Sequence, residues 1–292
     1  MRKPHIERRR LTDPSRAYRW LSWAILLATP STTWGALPIP GLGLLAAEPP
    51  GQAEYGTVKG RLVWGGDNPP PLTNLVEKGQ ATRDADVCAK DKQIPARDLV
   101  VDPKSKGVAY SFAYIVRPKG SNAALVQSLI SKAPKVELDQ KNCAFEPYVL
   151  PMHQDQVLLI KSSDPKNHNV RYSAFQNGGF NQILAPGGQM EVKLVAERFP
   201  IVLACDIHPW MKGYIMVFDH PFFATTASDG SFEIKGVPPG DQNLIVWQET
   251  VGYVTPGQSR GMPVKVRAGE VTDVGDIKID PAKVKVALPK GK

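Results

Sequence analysis

What most constrains this chain is the stretch from about residue 135 to 218, where short apolar-rich runs recur with turn signals between them. K-V-E-L-D (135–139), Q-V-L-L-I-K (156–161), H-N-V-R-Y (168–172), M-E-V-K-L-V (190–195), I-V-L-A-C (201–205) and Y-I-M-V-F (214–218) have the length and composition of strands. Between them stand S-S-D-P-K-N, Q-N-G-G and A-P-G-G. Glycine supplies positive φ, proline fixes φ, and Asn and Asp bond their own backbone, so each break has a local cause. Several short strands at this spacing predict a sandwich or barrel. The 27 prolines and 25 glycines among 292 residues, against an average share of about 12%, favour strands and turns over long helices.

The flanks read the same way. G-T-V-K-G-R-L-V-W-G-G (56–66) alternates as a strand and ends in a glycine turn, and P-P-P (69–71) opens a loop. Residues 72–107 are polar and irregular and hold Cys88. V-A-Y-S-F-A-Y-I-V (108–116) is a strand candidate. Residues 121–132 have helical spacing, with Ser121 as a candidate N-cap and Leu125, Leu129 and Ile130 facing the body or lining a loop. Beyond His220, residues 224–234 predict a hairpin around Asp229-Gly230. A turn and strand (236–247) follow, then strands at 262–267 and 271–279 that finish the sheet. Residues 281–292 form a basic tail, expected to fray. No internal repeat is visible.

Charge is concentrated at one end. Residues 1–47 carry seven Lys/Arg and two acids, so +5 of the net +8 belongs to them and only +3 to the rest. A body so weakly charged gives no support for nucleic-acid binding. Basic residues precede W-L-S-W-A-I-L-L-A (20–28), an apolar run of signal-peptide length and too short to span a bilayer. The prolines of the next apolar patch, 36–47, argue against one continuous membrane helix. Residues 1–47 are read as an export signal with cleavage between Ala36 and Ala47, an uncleaved anchor being the alternative. The mature chain is then periplasmic or otherwise in the cell envelope, without a membrane span, where disulfides are permitted. Three cysteines, Cys88, Cys143 and Cys205, leave one thiol without a partner.

Residues 205–211 read C-D-I-H-P-W-M. A thiol, an imidazole and a thioether share one loop there: a soft-metal site, or neighbours by chance. A type 1 copper site needs a second imidazole. Five histidines exist; His5 lies in the signal and His220 after the last strand of the run. His168 opens a strand after a turn, at a sandwich end that the Cys205 loop can share. His153 lies in a turn and reads as a surface residue, at the other end of the sandwich.

The run L-A-P-G-G-Q-M-E-V-K-L…I-V-L-A-C-D-I-H-P-W-M-K-G-Y-I-M-V resembles the end of a cupredoxin domain of the plastocyanin/amicyanin-like blue copper group. N-H-N-V (167–170) is similar to the segment bearing the first histidine ligand, and C-A-F-E-P (143–147) to an early strand. The resemblance implies one type 1 copper ion held by His168, Cys205, His208 and Met211. It implies that Asn169 ties the two ligand loops and aims its backbone N–H at the thiolate. It also implies that the ring edge of His208 reaches the surface, framed by Pro209 and Trp210 as a patch for a transient redox protein partner, with Trp210 as ordinary cover for the metal being the alternative. Leu203 stands where the family often has an aromatic, so the packing under the site differs. With Cys205 given to the metal by this resemblance, Cys88 and Cys143 are expected to form a structural disulfide that ties residues 72–107 to the sandwich; two reduced cysteines are the alternative.

Residues 224–247 are similar to the carboxypeptidase regulatory-like, transthyretin-like module, and residues 56–64 to its first strand. The resemblances together imply an all-β chain: a cupredoxin Greek-key β-sandwich inserted in or packed beside a second small transthyretin-like β-sandwich. The boundaries are 1–47 signal peptide, 55–134 first part of the flanking module with its irregular loop, 135–219 cupredoxin domain, 220–280 second part, and 281–292 tail. The expected function is single-electron transfer by an exported blue copper protein. Copper carriage or storage, and a protein- or carbohydrate-binding envelope module with a vestigial site, are the alternatives. The flanking module shows no catalytic nucleophile, paired acid or zinc-peptidase motif, and the histidines are too few for the further copper centres of oxidases, so no enzyme is expected. Oligomeric state is open.

Overall fold

The computed structural model describes residues 54–285. The signal-like segment 1–47 and the end of the basic tail lie outside the described residues. The described part is all-β, with strands in several sheets and one α-helix.

The strands after residue 134 build one sandwich. Its first sheet runs, in spatial order, Gly178–Leu184, His168–Ala174, Ile201–Ala204, Lys212–Phe218 and Val149–His153. Its second runs Gln189–Val192, Val157–Ser162, Lys135–Lys141 and Ala144–Glu146. Two pairings are parallel, Lys212–Phe218 with Val149–His153 and Lys135–Lys141 with Val157–Ser162, and the others are antiparallel. Alternation places every second side chain inside: Leu158 and Ile160 face in and meet Leu138, Phe145, Val170, Leu203 and Ile215 in one apolar core.

A second pair of sheets draws strands from both sides of that sandwich. Gly56–Trp64 lies between Ser231–Val237 and Val271–Ile279. Phe112–Ile115 lies between Phe223–Thr225 and Gly240–Gln248, and Met262–Val266 also pairs with Gly240–Gln248. Val58, Leu62, Ile115, Phe222, Leu244 and Ile279 form their shared core. An aromatic-rich cluster, with Phe112, Tyr114, Tyr148, Tyr214 and Phe218, packs strands of the two halves together. There Glu249 accepts from the hydroxyls of Tyr148 and Tyr214, and Lys212 Nζ lies 2.5 Å from it. These contacts anchor the strand that leaves residue 211.

Several local expectations change. The Asp229-Gly230 turn forms, with Gly230 at φ 80, but its strands do not make a hairpin. Phe223–Thr225 pairs with Phe112–Ile115, while Ser231–Val237 pairs with Gly56–Trp64. Thr226 is held to the first of these sheets by Ser111, whose N–H donates to Thr226 Oγ1 at 3.1 Å and whose carbonyl accepts from Thr226 N at 2.9 Å. Likewise Met262–Val266 and Val271–Ile279 join different sheets. The strand expected at 108–116 is only Phe112–Ile115, because Tyr110 takes a left-handed φ of 57. The helix is Ala123–Lys132, and its N-cap is Asn122, not Ser121. Asn122 Oδ1 accepts from Leu125 N at 2.9 Å and its Nδ2 donates to Gly236 O, so one buried amide serves both helix and turn. The start of the tail is docked: Pro281–Lys283 is a 3₁₀ turn, and Lys285 N–H donates to Thr250 O. His153 is not a surface residue; it is buried at the end of Val149–His153, where its backbone N–H donates to Gln156 Oε1.

His220 gives a pH test of this packing. Its ring stacks on Phe222 and lies 5.3 Å from Phe218, and Nδ1 accepts from Phe222 N–H. Burial, with a smaller push from His153, outweighs Asp219 and brings the imidazole down to about 4. Between that value and about 6.5 the unfolded chain binds a proton that the folded chain refuses. This contribution to stability is therefore present above about pH 6.5 and lost as pH falls toward 4. His220→Gln keeps a hydrogen-bonding side chain without the titration. Urea unfolding at pH 7 and pH 4.5 is expected to show a shallower acid loss in the variant, by up to about 3 kcal/mol.

Candidate metal centre

The loop 205–211 joins two antiparallel strands, Ile201–Ala204 and Lys212–Phe218. It closes on itself through Cys205 N–H to Met211 O at 3.3 Å and Met211 N–H to His208 O at 2.9 Å. Tight closure turns Cys205 and His208 to one side. His168 opens the neighbouring strand His168–Ala174, which pairs with Ile201–Ala204, so it arrives at the same sheet end.

Three donor atoms converge there. Nδ1 of His168 and Nδ1 of His208 are 2.9 Å apart, and Cys205 Sγ is 3.8 Å from His208 Nδ1. All three residues are buried, both histidines at 0% exposure. Met211 is also buried, in the same apolar cluster as Cys205. Cys88 and Cys143 are joined in a disulfide and Cys205 is a free, buried cysteine.

The outer nitrogens are both occupied. His168 Nε2 lies 2.9 Å from Asp164 Oδ2, and His208 Nε2 lies 2.9 Å from Asp84 Oδ2. A carboxylate accepts, so it keeps a proton on Nε2 and leaves the Nδ1 lone pair facing inward. Two lone pairs at 2.9 Å repel unless a proton or cation lies between them. Metal–N bonds of about 2.0 Å and metal–S bonds of about 2.3 Å put donors about 3–4 Å apart, which fits this constellation. Two imidazoles and a thiolate suit a soft or borderline ion.

The electrostatics agree. Burial works against ionising Cys205, but hydrogen bonding with His168 and His208, together with the backbone N–H of Asn169, outweighs it and brings the thiol down to about 6. Burial also opposes charge on His168, yet Asp164 and Cys205 push its imidazole up to about 9. Asp164 is itself lowered despite burial, by His168 and by the N–H groups of Cys143 and Asn142, each 2.7 Å away. Asn169 Oδ1 accepts from Asp206 N–H at 2.7 Å and lies 3.3 Å from Cys205 Sγ, linking the His168 strand to the ligand loop. Its Nδ2 donates to Asp206 and to Asn181.

One expectation is overturned. The edge of His208 does not reach the surface: the Asp84 segment covers it, and the Trp210 ring packs 5.2 Å away. Pro209 is exposed and Trp210 is half-buried, its Nε1–H donating to Cys143 O at 3.2 Å. Both line a cavity of about 200 Å³ with Leu75, Ile94 and Pro95. Sequence reasoning missed both carboxylates. Asp164 lies four residues before His168 and could have been found from that spacing. Asp84 lies 124 residues from His208 and carried no local signal.

No family model matches this chain, and no curated protein matches it. Among solved structures, it is similar to a copper-containing nitrite reductase from Thermus scotoductus SA-01, at 22% identity over 29% of this chain and 22% of that one, with a TM-score of 0.27. It is similar to a reduced Cu(I) form of an amicyanin mutant, at 18% identity over 36% of this chain and 98% of that one, TM-score 0.27. It is also similar to a purple cupredoxin from Nitrosopumilus maritimus, at 19% identity over 29% of this chain and 98% of that one, TM-score 0.25. These neighbours are cupredoxins, none of the three is a transthyretin-like protein, and the overlap is partial.

Proposed function

We propose that this chain is an exported blue copper protein that carries single electrons and catalyses no reaction of its own. One type 1 copper ion would be held by His168, Cys205 and His208, with the buried thioether of Met211 as a further, weaker ligand. The observation that supports this best is a buried, readily ionised thiol facing two imidazole nitrogens, each fixed from behind by a carboxylate. When bound, copper supplies the one-electron couple. The residues supply everything else. Asp164 and Asp84 hold the rings so that their Nδ1 atoms point inward, the closed loop 205–211 keeps Cys205 in place, and the apolar shell excludes water. A site so fixed changes little between oxidation states. Pro209, Trp210 and the cavity beside them would form the small patch for a transient redox protein.

The burial of His208 favours a second reading, copper carriage or storage, because the usual outlet for an electron is covered. The two readings part in a titration of the purified chain with Cu(II). Electron transfer predicts one ion per chain, an intense visible thiolate-to-copper band that bleaches on reduction and returns on oxidation, and slow loss to a chelator. Copper bound without that band, or stripped within minutes, supports carriage instead.

A further inference from the structure

His208 is closed off by a residue that belongs to neither ligand loop. We propose that Asp84 is a positioning residue for the metal centre. Its carboxylate fixes His208 with Nδ1 inward and favours the divalent over the monovalent ion. The inference rests on the copper reading above and deepens it.

The geometry is specific. Asp84 Oδ2 lies 2.9 Å from His208 Nε2, and the histidine is fully buried. Asp84 sits at φ 47, a left-handed conformation that aspartate tolerates. Its carbonyl accepts from Val87 N–H at 2.9 Å and from Cys88 N–H at 2.7 Å. Cys88 is bonded to Cys143, and the N–H of Cys143 donates to Asp164, the carboxylate behind His168. One residue, Cys143, therefore links the supports of both imidazoles. Trp210, packed on the His208 ring, also bonds the Cys143 carbonyl. A cation stands beside the cap: Lys166 Nζ is 3.5 Å from Asp84 and 2.8 Å from Asp86.

Charge decides the direction. At a fixed distance a carboxylate attracts a doubly charged ion twice as strongly as a singly charged one. Asp84 thus stabilises the oxidised site more than the reduced one and lowers the reduction potential. Lys166 partly offsets it. A side chain that clipped the loop without net charge at this distance would leave the potential unchanged.

Asp84→Asn tests this, because its amide oxygen still accepts from Nε2–H while the charge is gone. In the copper-loaded chain the visible band is expected to stay. Cu(II) affinity is expected to fall about tenfold more than Cu(I) affinity, which raises the potential by about 59 mV for one electron. Lys166→Met is expected to move the potential the other way. In the metal-free chain, the His208 Nε2–H proton is expected in nitrogen-resolved NMR spectra of wild type and Asp84→Asn, and lost in Asp84→Ala. An unchanged potential in Asp84→Asn, beside a normal wild-type band, overturns the role of Asp84 and leaves the copper reading standing. Loss of the band in a folded Asp84→Asn overturns it too, by making the residue a structural clip. A wild type that takes up no copper overturns both.

Discussion

Cys205→Ala is expected to abolish the visible band and to weaken Cu(II) binding by more than about 100-fold, beyond the about 10- to 100-fold that loss of a supporting residue costs. The thiolate is the only soft anion among the three converging donors, and the two imidazoles that remain are neutral ligands. Binding to the folded state alone stabilises by RT ln(1 + [L]/Kd), about 2.7 kcal/mol at 100 times Kd. Copper should therefore raise the thermal midpoint of wild type strongly and that of the variant little. The metal-free variant is expected to stay folded, since alanine replaces a small buried side chain and loses about 1 kcal/mol. In it, the His168 imidazole should drop below about 9, because Cys205 is one of the two groups that hold it up. That shift, read by NMR titration, ties the missing band to the loss of a charged neighbour and not to a collapsed site.

Two of the converging donors, Cys205 and His208, were legible because a seven-residue turn keeps C-x-x-H-x-x-M together whatever the rest of the chain does. His168 was legible because a strand start after S-S-D-P-K-N must lie at a sheet end. The remainder of the site is long-range. Asp84 reaches His208 only because an irregular segment folds back across the sandwich, and that return depends on the Cys88–Cys143 bridge and on backbone bonds with no periodic signature. Burial of the His208 edge follows from the same segment, so an expectation built on the ligand loop alone had to miss it.

Strand pairing failed for a related reason. A turn such as Asp229-Gly230 dictates a change of direction, not the partner of each arm. Contacts between Thr226 and Ser111, 115 residues away, send the first arm to another sheet. Two strands of the sheet that carries His168 were missed outright. Gly178–Leu184 is a sheet-edge strand with exposed residues through most of its length, so it lacks alternation and begins with the two glycines that read as a turn. Val149–His153 contains Pro151, which argues against a strand unless the residue sits at a sheet edge. It does: that strand is the last in its sheet.

The replacement of both Cys88 and Cys143 by serine is expected to have the largest effect on stability. The bridge closes a loop with a sequence separation of 55. Chain entropy for such a loop corresponds to about 4 kcal/mol, all of it acting through a less restricted unfolded state. Urea unfolding of the metal-free chain should show this as an earlier midpoint with a steeper slope, since the unbridged unfolded chain exposes more surface. A second effect should appear in the folded protein. Cys143 stands between the supports of the two imidazoles, and its backbone contacts to Asp164 and Trp210 do not need the sulfur. Asp84 relies on it more, because the Cys88 side of the bridge is the covalent tie of its segment over His208, beside the ion pairs of Asp84 and Asp86 with Lys166. At a urea concentration where the variant is still folded, a chelator should therefore remove copper faster than from wild type, while the visible band before removal is unchanged. Faster removal with a normal band places the effect at the cover over His208. An altered band would mean that the bridge shapes the ligand set itself, and equal removal rates would mean that the segment stays closed without it.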